Sequence, residues 1–296
     1  MDSETPFLVG LLGSGVKPSL TPALHMTEAR WHGLTYAYRV IDTTDRHLDD
    51  AALRQVLESA QLLGFDGLNV TFPYKQQVVP LLDELAPTAR LPGAVNTVLF
   101  EGGHSTGHNT DVTGFRMALE RHLPGASLAS VVQLGAGGAG AAVADALLGL
   151  GTQRLTLVER DRRRAQTLAE SLARRFADRE IVVVGERDVA SGLEGATGLV
   201  NCTPIGMAHH PGEPLDPKLL RADLWVADVV YRPLETELLR HAVARGCRVL
   251  HGGFMAVYQA ANTFELVTRR TADPGRMLAH LQSLLESESH PRTGAV

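Results

Sequence analysis

A lysine in the segment NVTFPYKQ is the first candidate for chemistry. Lys75 follows an apolar strand-like segment and Pro73, a pattern that predicts a helix over residues 73–85 with Pro80 as an internal kink. Positive potential at a helix N-terminus and partial burial both favour the neutral form of a lysine. A nearby carboxylate opposes that effect, and Asp111 in GHNTDVTGF is the best candidate. Such a lysine can exchange a proton with a substrate hydroxyl while hydride leaves the same carbon. The alternative is a surface lysine with a solvated ammonium group.

Uncharged polar residues recur where strand-like segments end in the first part of the chain: Ser19, Thr21, Asn69, Thr71 and Asn96. Ligands of open α/β sheets bind beyond the carboxyl ends of strands. Hydroxyl and amide groups in that place suit a polyhydroxylated small molecule. Ser19 and Thr21, in KPSLTP, can both bind a substrate carboxylate beside a helix N-terminus, or they can cap that helix.

A glycine-rich segment indicates a nucleotide site. The G-x-G-x-x-G spacing follows the apolar segment SVVQL and opens an alanine-rich helix, which is the context that the motif requires. The glycines allow a tight turn, a close backbone approach to a pyrophosphate and helix packing on the strand. The alternative is a purely structural glycine-rich turn. The predicted pyrophosphate-binding residues are Gly135, Ala136, Gly137, Gly138, Ala139 and Gly140.

An acidic residue ends the next strand-like segment, RLTLVER. Glu159 lies 19 residues after Gly140, where an acid typically binds the adenine-side ribose hydroxyls and repels a 2′-phosphate. This position favours NAD. Arg160 and Arg164 follow closely and can instead hold a 2′-phosphate, so NADP stays possible.

These residues need an α/β scaffold to position them. Apolar strand-like segments such as FLVGLLG, YAYRVID and SVVQL alternate with helical patterns along almost the whole chain. Residues 94–111 predict a hairpin. A second α/β series begins near residue 112, which predicts two domains in a chain of 296 residues. The pattern alone leaves open on which domain the last two predicted helices pack.

Composition and patterning exclude several classes of function. A net charge of −5 argues against nucleic acid as the main partner, because neutralising phosphates needs a basic face. No apolar stretch is long enough for a membrane span, and MDSETPFLVG carries acids where a signal peptide carries basic residues. Cys202 and Cys247 are isolated, as expected of two buried free thiols in the cytoplasm. His104 and His108 lie in a turn-rich hairpin that does not align them, so we expect no metal site.

Eight stretches occur in one order along the chain: SLTPALH, NVTFPYK, GAVNTV, GHNTDVTGF, GAGGAG, NCTPIGM, DVVYRPLETELL and GGFMAVYQAANTF. In these stretches and their order, the chain resembles the shikimate/quinate dehydrogenases over nearly its whole length. The resemblance implies an α/β fold of two domains. A substrate-binding domain over residues 1–111 would be completed by C-terminal helices over 253–288. A Rossmann-like NAD(P)-binding domain would cover 112–252. The tail, 289–296, lacks core-forming residues and is expected to be flexible.

The resemblance also implies roles for individual residues. Lys75 and Asp111 would form the catalytic pair. The residues expected to bind or adjoin the substrate are Ser19, Thr21, Thr71, Lys75, Asn96, Asp111, Tyr231 and Gln259. The residues expected on the nicotinamide side of the cofactor are Thr203, Pro204, Gly206, Met207, Val230, Gly253 and Met255.

Two departures from the biosynthetic members of the family bear on specificity. Those enzymes usually show Ser-x-Ser at the carboxylate motif and an Asn-Arg-Thr-like sequence after the second nucleotide strand. This chain has Ser19-Leu-Thr21 and Glu159-Arg-Asp161, which look more like the NAD-preferring quinate/shikimate dehydrogenases of catabolism. We therefore expect an NAD-dependent quinate/shikimate dehydrogenase, either monomer or homodimer. The alternatives are an NADP-dependent biosynthetic shikimate dehydrogenase, an aminoshikimate dehydrogenase and a non-catalytic nucleotide-sensing protein.

Overall fold

The computed structural model describes residues 6–90 and 92–289. The chain divides into two compact units: residues 1–110 with 257–296 form unit 1, and residues 111–256 form unit 2. This confirms the predicted two-domain α/β class, while the domain limits at 111 and 252 stay predictions. The N-terminal acids lie outside the described residues, as does the predicted tail beyond Ser289. Among the described residues, no helix combines the length and apolar character needed to span a bilayer.

A six-stranded mixed sheet forms the centre of unit 1. Its strands are β1 (Phe7–Gly13), β2 (Tyr36–Asp42), β3 (Gly67–Val70), β4 (Glu84–Leu85), β5 (Thr97–Glu101) and β6 (His104–His108). They lie in the order β2-β1-β3-β5-β6-β4. β1 runs parallel to β2 and β3, whereas β5 runs antiparallel to both β3 and β6. The carboxyl ends of β1 and β3 therefore meet at one edge of the sheet, beside the start of β5. The helices here are α1 (Thr21–Trp31), α2 (Asp50–Leu62) and α3 (Pro87–Arg90).

The predicted hairpin is confirmed as the β5–β6 pair. Its two-residue turn consists of Gly102 and Gly103, with φ angles of +57° and +83°. Positive φ at both central residues is the geometry that tight hairpins need, and glycine adopts it without steric cost. The hairpin brings the start of β5 and the end of β6 to the same edge as the end of β3.

The predicted helix over 73–85 is wrong. Residues 72–78 form successive turns, followed by a short 3₁₀ helix (Val79–Leu81). Pro80 lacks the N–H that a continuing helix would direct at the Gln76 carbonyl, and its ring would clash there. Tyr74 is buried, and its hydroxyl lies 2.8 Å from the Thr43 hydroxyl. Because no α-helix starts in residues 72–82, the helix-potential argument for Lys75 does not apply.

Unit 2 carries an all-parallel sheet. Its strands are β7 (Ser130–Leu134), β8 (Arg154–Val158), β9 (Glu180–Val184), β10 (Gly198–Asn201), β11 (Trp225–Asp228) and β12 (Arg248–Leu250). They lie in the order β12-β11-β10-β7-β8-β9, so the chain reverses direction across the sheet between β7 and β10. This all-parallel order with its switch point confirms the predicted Rossmann-like domain. Ligands of doubly wound sheets bind at such a switch point. The helices are α4 (Thr110–His122), α5 (Gly138–Gly149), α6 (Arg162–Arg175), α7 (Val189–Gly192) and α8 (Glu237–Ala244).

Two C-terminal helices, α9 (Gly252–Thr268) and α10 (Pro274–Ser289), complete the chain. From residue 257 onward they belong to unit 1, where Phe264 and Leu281 join a core with Leu24 of α1. The buried carboxylate of Glu28 accepts hydrogen bonds from Arg276 at 2.6 and 2.9 Å. Breaking such a buried pair leaves an uncompensated charge, so it holds α10 on α1.

Candidate active site

The loops after β1 and β3 are joined by main-chain hydrogen bonds. The Ser14 amide donates to the Phe72 carbonyl, and the Thr71 amide donates to the Leu12 carbonyl, both at 2.9 Å. These loops carry four of the predicted site residues of unit 1: Ser19, Thr21, Thr71 and Lys75. These segments leave the sheet at the carboxyl ends of two parallel strands, the edge at which ligands of open α/β sheets bind.

Ser19 and Thr21 lie at the start of α1, and both are half-buried. Leu20 occupies the N-cap position, and no side chain of the described residues caps α1 by a hydrogen bond there. The Thr21 amide instead donates to the Ser19 hydroxyl at 3.3 Å. The Ser19 hydroxyl thus accepts the first N–H of α1, so the alternative role at the helix N-terminus stays open for Ser19.

The segment that bears Lys75 is tied to the start of β5. The Val95 amide donates to the Lys75 carbonyl at 2.7 Å, and the Val70 amide donates to the Asn96 carbonyl at 2.8 Å. Lys75 itself is half-buried. Its backbone is thus held by a hydrogen bond to the segment that leads into β5.

A buried set of amide and hydroxyl groups, here called the hydroxyl network, surrounds Asn96. Its members are Asn69, Asn96, Thr97, Thr110 and Thr263, each at most 5% exposed. The Asn96 Oδ1 atom accepts the Thr110 amide at 2.8 Å, and its Nδ2 donates to the Thr110 hydroxyl at 2.9 Å. Asn96 thereby fixes the first residue of α4, and Asp111 is the next residue along that helix.

The hydroxyl network continues to α9. The Thr263 hydroxyl lies 3.0 Å from that of Thr97 and 3.2 Å from that of Thr110. The Thr110 hydroxyl also donates to the Gln259 Oε1 atom at 3.4 Å. Asn96 and Gln259, both predicted to bind ring hydroxyls, are therefore connected through threonines. The sequence analysis missed these threonines, although Thr263 follows Gln259 by one helical turn, the spacing that places two side chains on one face.

The glycine-rich loop of unit 2 has the geometry of a dinucleotide site. Gly135 adopts a φ of +92°, and a Cβ on Gly140 would lie 2.4 Å from the Gly135 carbonyl oxygen. A Cβ on Gly137, the N-cap of α5, would meet no atom of the described chain within 4 Å. Open space above a helix N-terminus suits a pyrophosphate, so these residues fit the cofactor. Gln133, also missed from the sequence, supports the loop by donating to the Gly135 and Gly140 carbonyls at 2.9 and 2.8 Å.

Glu159 links this loop to the end of β8. Its carboxylate is 6% exposed and accepts the Ala136 amide at 2.8 Å and the Asp161 amide at 3.0 Å. Arg164 adds a charged hydrogen bond at 2.7 Å. Burial raises the pKa of Glu159, but the bonds from Arg164 and the two amides outweigh it and leave the pKa below its ordinary value. Arg164 is thus paired with the acid that was predicted to oppose a 2′-phosphate, while Arg160 is exposed.

The loop after β10 contains the predicted nicotinamide-side residues Thr203, Pro204, Gly206 and Met207. Asn201 organises this 203–207 loop: its Oδ1 accepts the Thr203 amide at 3.0 Å, and its Nδ2 donates to the Ile205 carbonyl at 3.0 Å. A Cβ on Gly135 would lie 3.1 Å from the Thr203 methyl carbon. The 203–207 loop therefore packs directly against the glycine-rich loop.

The remaining predicted residues of unit 2 adjoin the end of β11. Val230 donates its amide to Asp228 at 3.0 Å, and Tyr231 is half-buried beside it. The start of α9, with Gly253 and Met255, packs on this segment, since a Cβ on Gly252 would lie 2.4 Å from the Val229 carbonyl oxygen.

The histidines of the hairpin and the two cysteines bear on metal binding and on redox state. His104 and His108 are the first and last residues of β6, and the described part of the chain has no group of three or more potential metal ligands. Both cysteines are free thiols; Cys247 is buried as predicted, whereas Cys202 is only half-buried.

Comparison with known proteins identifies the family. A family model described as the shikimate dehydrogenase substrate binding domain matches residues 11–98. A shikimate dehydrogenase (NADP(+)) from Pseudarthrobacter chlorophenolicus is 52% identical, over 95% of this chain and 96% of the relative. The chain belongs to the shikimate/quinate dehydrogenase family.

Members of this family named for either cofactor match the chain. A quinate/shikimate dehydrogenase (NAD(+)) from Corynebacterium glutamicum is 47% identical, over 94% of this chain and 98% of the relative. The structure of quinate dehydrogenase from the same organism in complex with NAD superimposes with a TM-score of 0.89. Its identity is 46%, over 94% of this chain and 99% of that one. Family membership therefore leaves the choice between NAD and NADP to the residues around Glu159.

Proposed function

We propose that the chain is an NAD-dependent quinate/shikimate dehydrogenase, which reversibly oxidises quinate to 3-dehydroquinate and shikimate to 3-dehydroshikimate. The observation that carries the proposal is the connection of predicted residues in unit 1. Lys75 is bonded through its carbonyl to Val95 at 2.7 Å, and the next residue, Asn96, is bonded to Thr110 at 2.8 Å. The backbone of the proposed proton-transfer residue is thus held next to a segment rich in uncharged amides and hydroxyls, which suit a ring with several hydroxyl groups.

In the oxidation direction, the side-chain nitrogen of Lys75 would accept the proton of the substrate's C3 hydroxyl while the C3 hydrogen leaves as hydride. Asp111 would then pair with the ammonium group of Lys75 and keep it in place. Bound NAD(P)⁺ would supply the hydride acceptor. In the reverse direction, Lys75 would return the proton to the carbonyl oxygen.

The other predicted residues of unit 1 would hold the substrate. Ser19 and Thr21 would bind its carboxylate through their hydroxyls, at the N-terminus of α1. Thr71, Asn96 and Gln259 would bind the ring hydroxyls, and we propose Tyr231 as a further residue that adjoins the substrate. Asn96 would be presented in a fixed orientation, because the hydroxyl network holds it on both of its polar atoms. Gln259 contacts the same network through the Thr110 hydroxyl.

The residues around Glu159 support NAD as the preferred cofactor. A buried, ionised carboxylate at the end of β8 repels a 2′-phosphate, and it already engages Arg164 at 2.7 Å. NADP dependence is the second candidate, favoured by the exposed Arg160 and by the 52% identity to a relative named for NADP(+).

A four-way steady-state assay tests the proposed function. Absorbance at 340 nm would be followed with quinate or shikimate, each with NAD⁺ or NADP⁺. We expect turnover of both substrates and a higher kcat/KM with NAD⁺. A higher kcat/KM with NADP⁺ and shikimate would favour the biosynthetic alternative. No absorbance change in any of the four combinations, together with nucleotide binding, would contradict the proposal and favour a nucleotide-sensing protein.

A further inference from the structure

A buried carboxylate of unit 2 has no part in the proposed proton transfer. Asp228 ends β11 and is 2% exposed. Its Oδ1 accepts hydrogen bonds from the Asn201 Nδ2 and the Val230 amide, both at 3.0 Å, and its Oδ2 accepts the Thr236 hydroxyl at 2.7 Å. Asn201 and Thr236 are also buried. These three residues are here called the Asp228 cluster.

Within the Asp228 cluster, Asp228 fixes the orientation of the Asn201 side-chain amide. The Nδ2 group of Asn201 has two hydrogens, which go to the Asp228 Oδ1 atom and to the Ile205 carbonyl. The Oδ1 atom of Asn201 is then directed at the amide and hydroxyl of Thr203, at 3.0 and 2.7 Å. If the amide were flipped, its oxygen would face the Asp228 and Ile205 oxygens. Only an acceptor at position 228 therefore keeps the 203–207 loop in its observed shape.

The Asp228 cluster also lies directly beneath that loop. A Cβ on Gly206, whose φ is +107°, would lie 3.3 Å from the Thr236 methyl carbon and 3.8 Å from the Asp228 Oδ2 atom. Thr236 in turn caps α8 by accepting the Leu239 amide at 3.3 Å. The same carboxylate thus connects the 203–207 loop, Val230 and the start of α8.

We infer that Asp228 is a positioning residue for the cofactor, because it holds the 203–207 loop and Val230 in the arrangement that receives the nicotinamide end. This inference rests on the proposed function, which assigns those residues to the cofactor side. It adds a residue outside the predicted site, acting through Asn201 and Thr236 without touching the nucleotide.

The inferred role predicts that the affinity for the nucleotide depends on pH. Burial raises the pKa of Asp228 to about 6, and the hydrogen bonds from Val230, Thr236 and Asn201 only partly oppose that effect. The charge of Asp228 also acts on the Cys202 thiol, whose pKa is raised first by burial of the sulfur and then by that charge. Oδ1 accepts two N–H groups, whereas Oδ2 accepts a hydroxyl that can reverse, so a proton would be taken up at Oδ2. Because a neutral carboxyl group is a weaker acceptor than a carboxylate, acid should weaken the bond from Asn201 and loosen the 203–207 loop.

Calorimetric titration with NAD⁺ tests the inference without relying on turnover. NAD⁺ is used because the 2′-phosphate of NADP⁺ would itself titrate near pH 6. For the wild type, we expect the Kd for NAD⁺ to rise as the pH falls through about 6. Asp228→Ala should raise the Kd at pH 7.5 about tenfold, with the Kd for shikimate unchanged. Asp228→Asn keeps an acceptor for Asn201 at every pH, so its Kd should be flat across the same range.

Asp145→Asn is the matched control, because Asp145 is another buried acid of unit 2 whose pKa is raised by burial, and it pairs with Arg175 at 2.9 Å. This variant should keep both the wild-type affinity and its pH dependence. The inference is overturned if Asp228→Ala binds NAD⁺ as the wild type does, or if Asp228→Asn retains the wild-type inflection. Should Asp228→Ala fail to fold, the near-isosteric Asn variant decides. Absence of nucleotide binding by the wild type would instead overturn the proposed function, and this inference with it.

Discussion

The two units fix their functional residues by different chemical means. In unit 1, the hydroxyl network orients Asn96 and Gln259 with uncharged groups, and its members are buried. In unit 2, two buried carboxylates, Glu159 and Asp228, hold backbone amides of the loops around the cofactor side. Uncharged networks keep their hydrogen-bond pattern across a wide pH range, whereas carboxylates lose acceptors when they take up protons. We therefore expect that, as the pH is lowered, nucleotide affinity falls at a higher pH than substrate affinity does.

The largest expected effect is on kcat, and it comes from a residue of unit 1 rather than from the nucleotide-binding residues of unit 2. Lys75→Ala removes the proposed proton carrier, so kcat should fall about a thousandfold, with the Kd for shikimate within a few-fold of wild type. Lys218→Ala, at an exposed lysine of unit 2, is the control and should leave kcat unchanged. Turnover of the Lys75 variant within a few-fold of wild type would remove the proposed role.

The glycine-rich loop of unit 2 provides the next largest effect. Gly140→Ala would place a Cβ 2.4 Å from the Gly135 carbonyl oxygen, and backbone cannot move aside cheaply. We expect a loss of nucleotide affinity of about ten- to a hundredfold, measured by calorimetry. Gly149→Ala, in the same helix, meets no atom within 4 Å in the described chain and should bind normally. Equal affinities of the two variants would contradict the predicted pyrophosphate site.

Unit 1 also contains one group that makes its stability depend on pH, a buried histidine of α1. His25 is fully buried, its Nδ1 lies 2.9 Å from the Tyr36 hydroxyl, and burial lowers its pKa to about 3. Because the neutral form is favoured in the fold, its stabilising contribution is lost as pH falls from the unfolded value near 6.5 towards about 3. Between about pH 7 and pH 4.5, this histidine should account for a loss of roughly 2–3 kcal/mol in the free energy of unfolding. Urea denaturation should give a smaller pH-dependent loss for His25→Gln, and an unchanged loss would contradict the assignment.

The smallest expected effect probes the hydroxyl network itself. Thr263→Val removes hydroxyl contacts at 3.0 and 3.2 Å while keeping the side-chain shape. We expect a loss of about 1 kcal/mol in the free energy of unfolding and a rise of about two- to fivefold in the Kd for shikimate. Thr268→Val, at another buried threonine of α9, should cost similar stability without changing that Kd. Identical shikimate affinity in both variants would show that the network does not position the site.

Much of this arrangement could be predicted from local sequence patterns. The hairpin turn at Gly102-Gly103 and the glycine-rich loop at 135–140 depend on neighbouring residues alone, and both are observed. The helix predicted over 73–85 failed because a proline was treated as a kink, although Pro80 removes the hydrogen bond that would continue the helix.

Long-range contacts account for the rest. Thr97 and Thr263 are separated by 166 residues, and no local period connects them. Glu159 was predicted as a ribose acceptor from its position, but its bonds to Ala136 and Arg164 depend on how the loop packs. Asp228 was missed for the same reason, since its partners Asn201 and Thr236 lie in separate elements.

Hydride transfer from the substrate carbon is the central claim, and isotope tracing tests it most directly. Shikimate carrying deuterium at C3 would be incubated with the protein and NAD⁺, and the reduced nucleotide would be analysed by mass spectrometry. The account predicts that the deuterium moves to the nucleotide, with a mass increase of one unit over the unlabelled product. Reduced nucleotide without the label, or no reduced nucleotide despite binding of both partners, would contradict it.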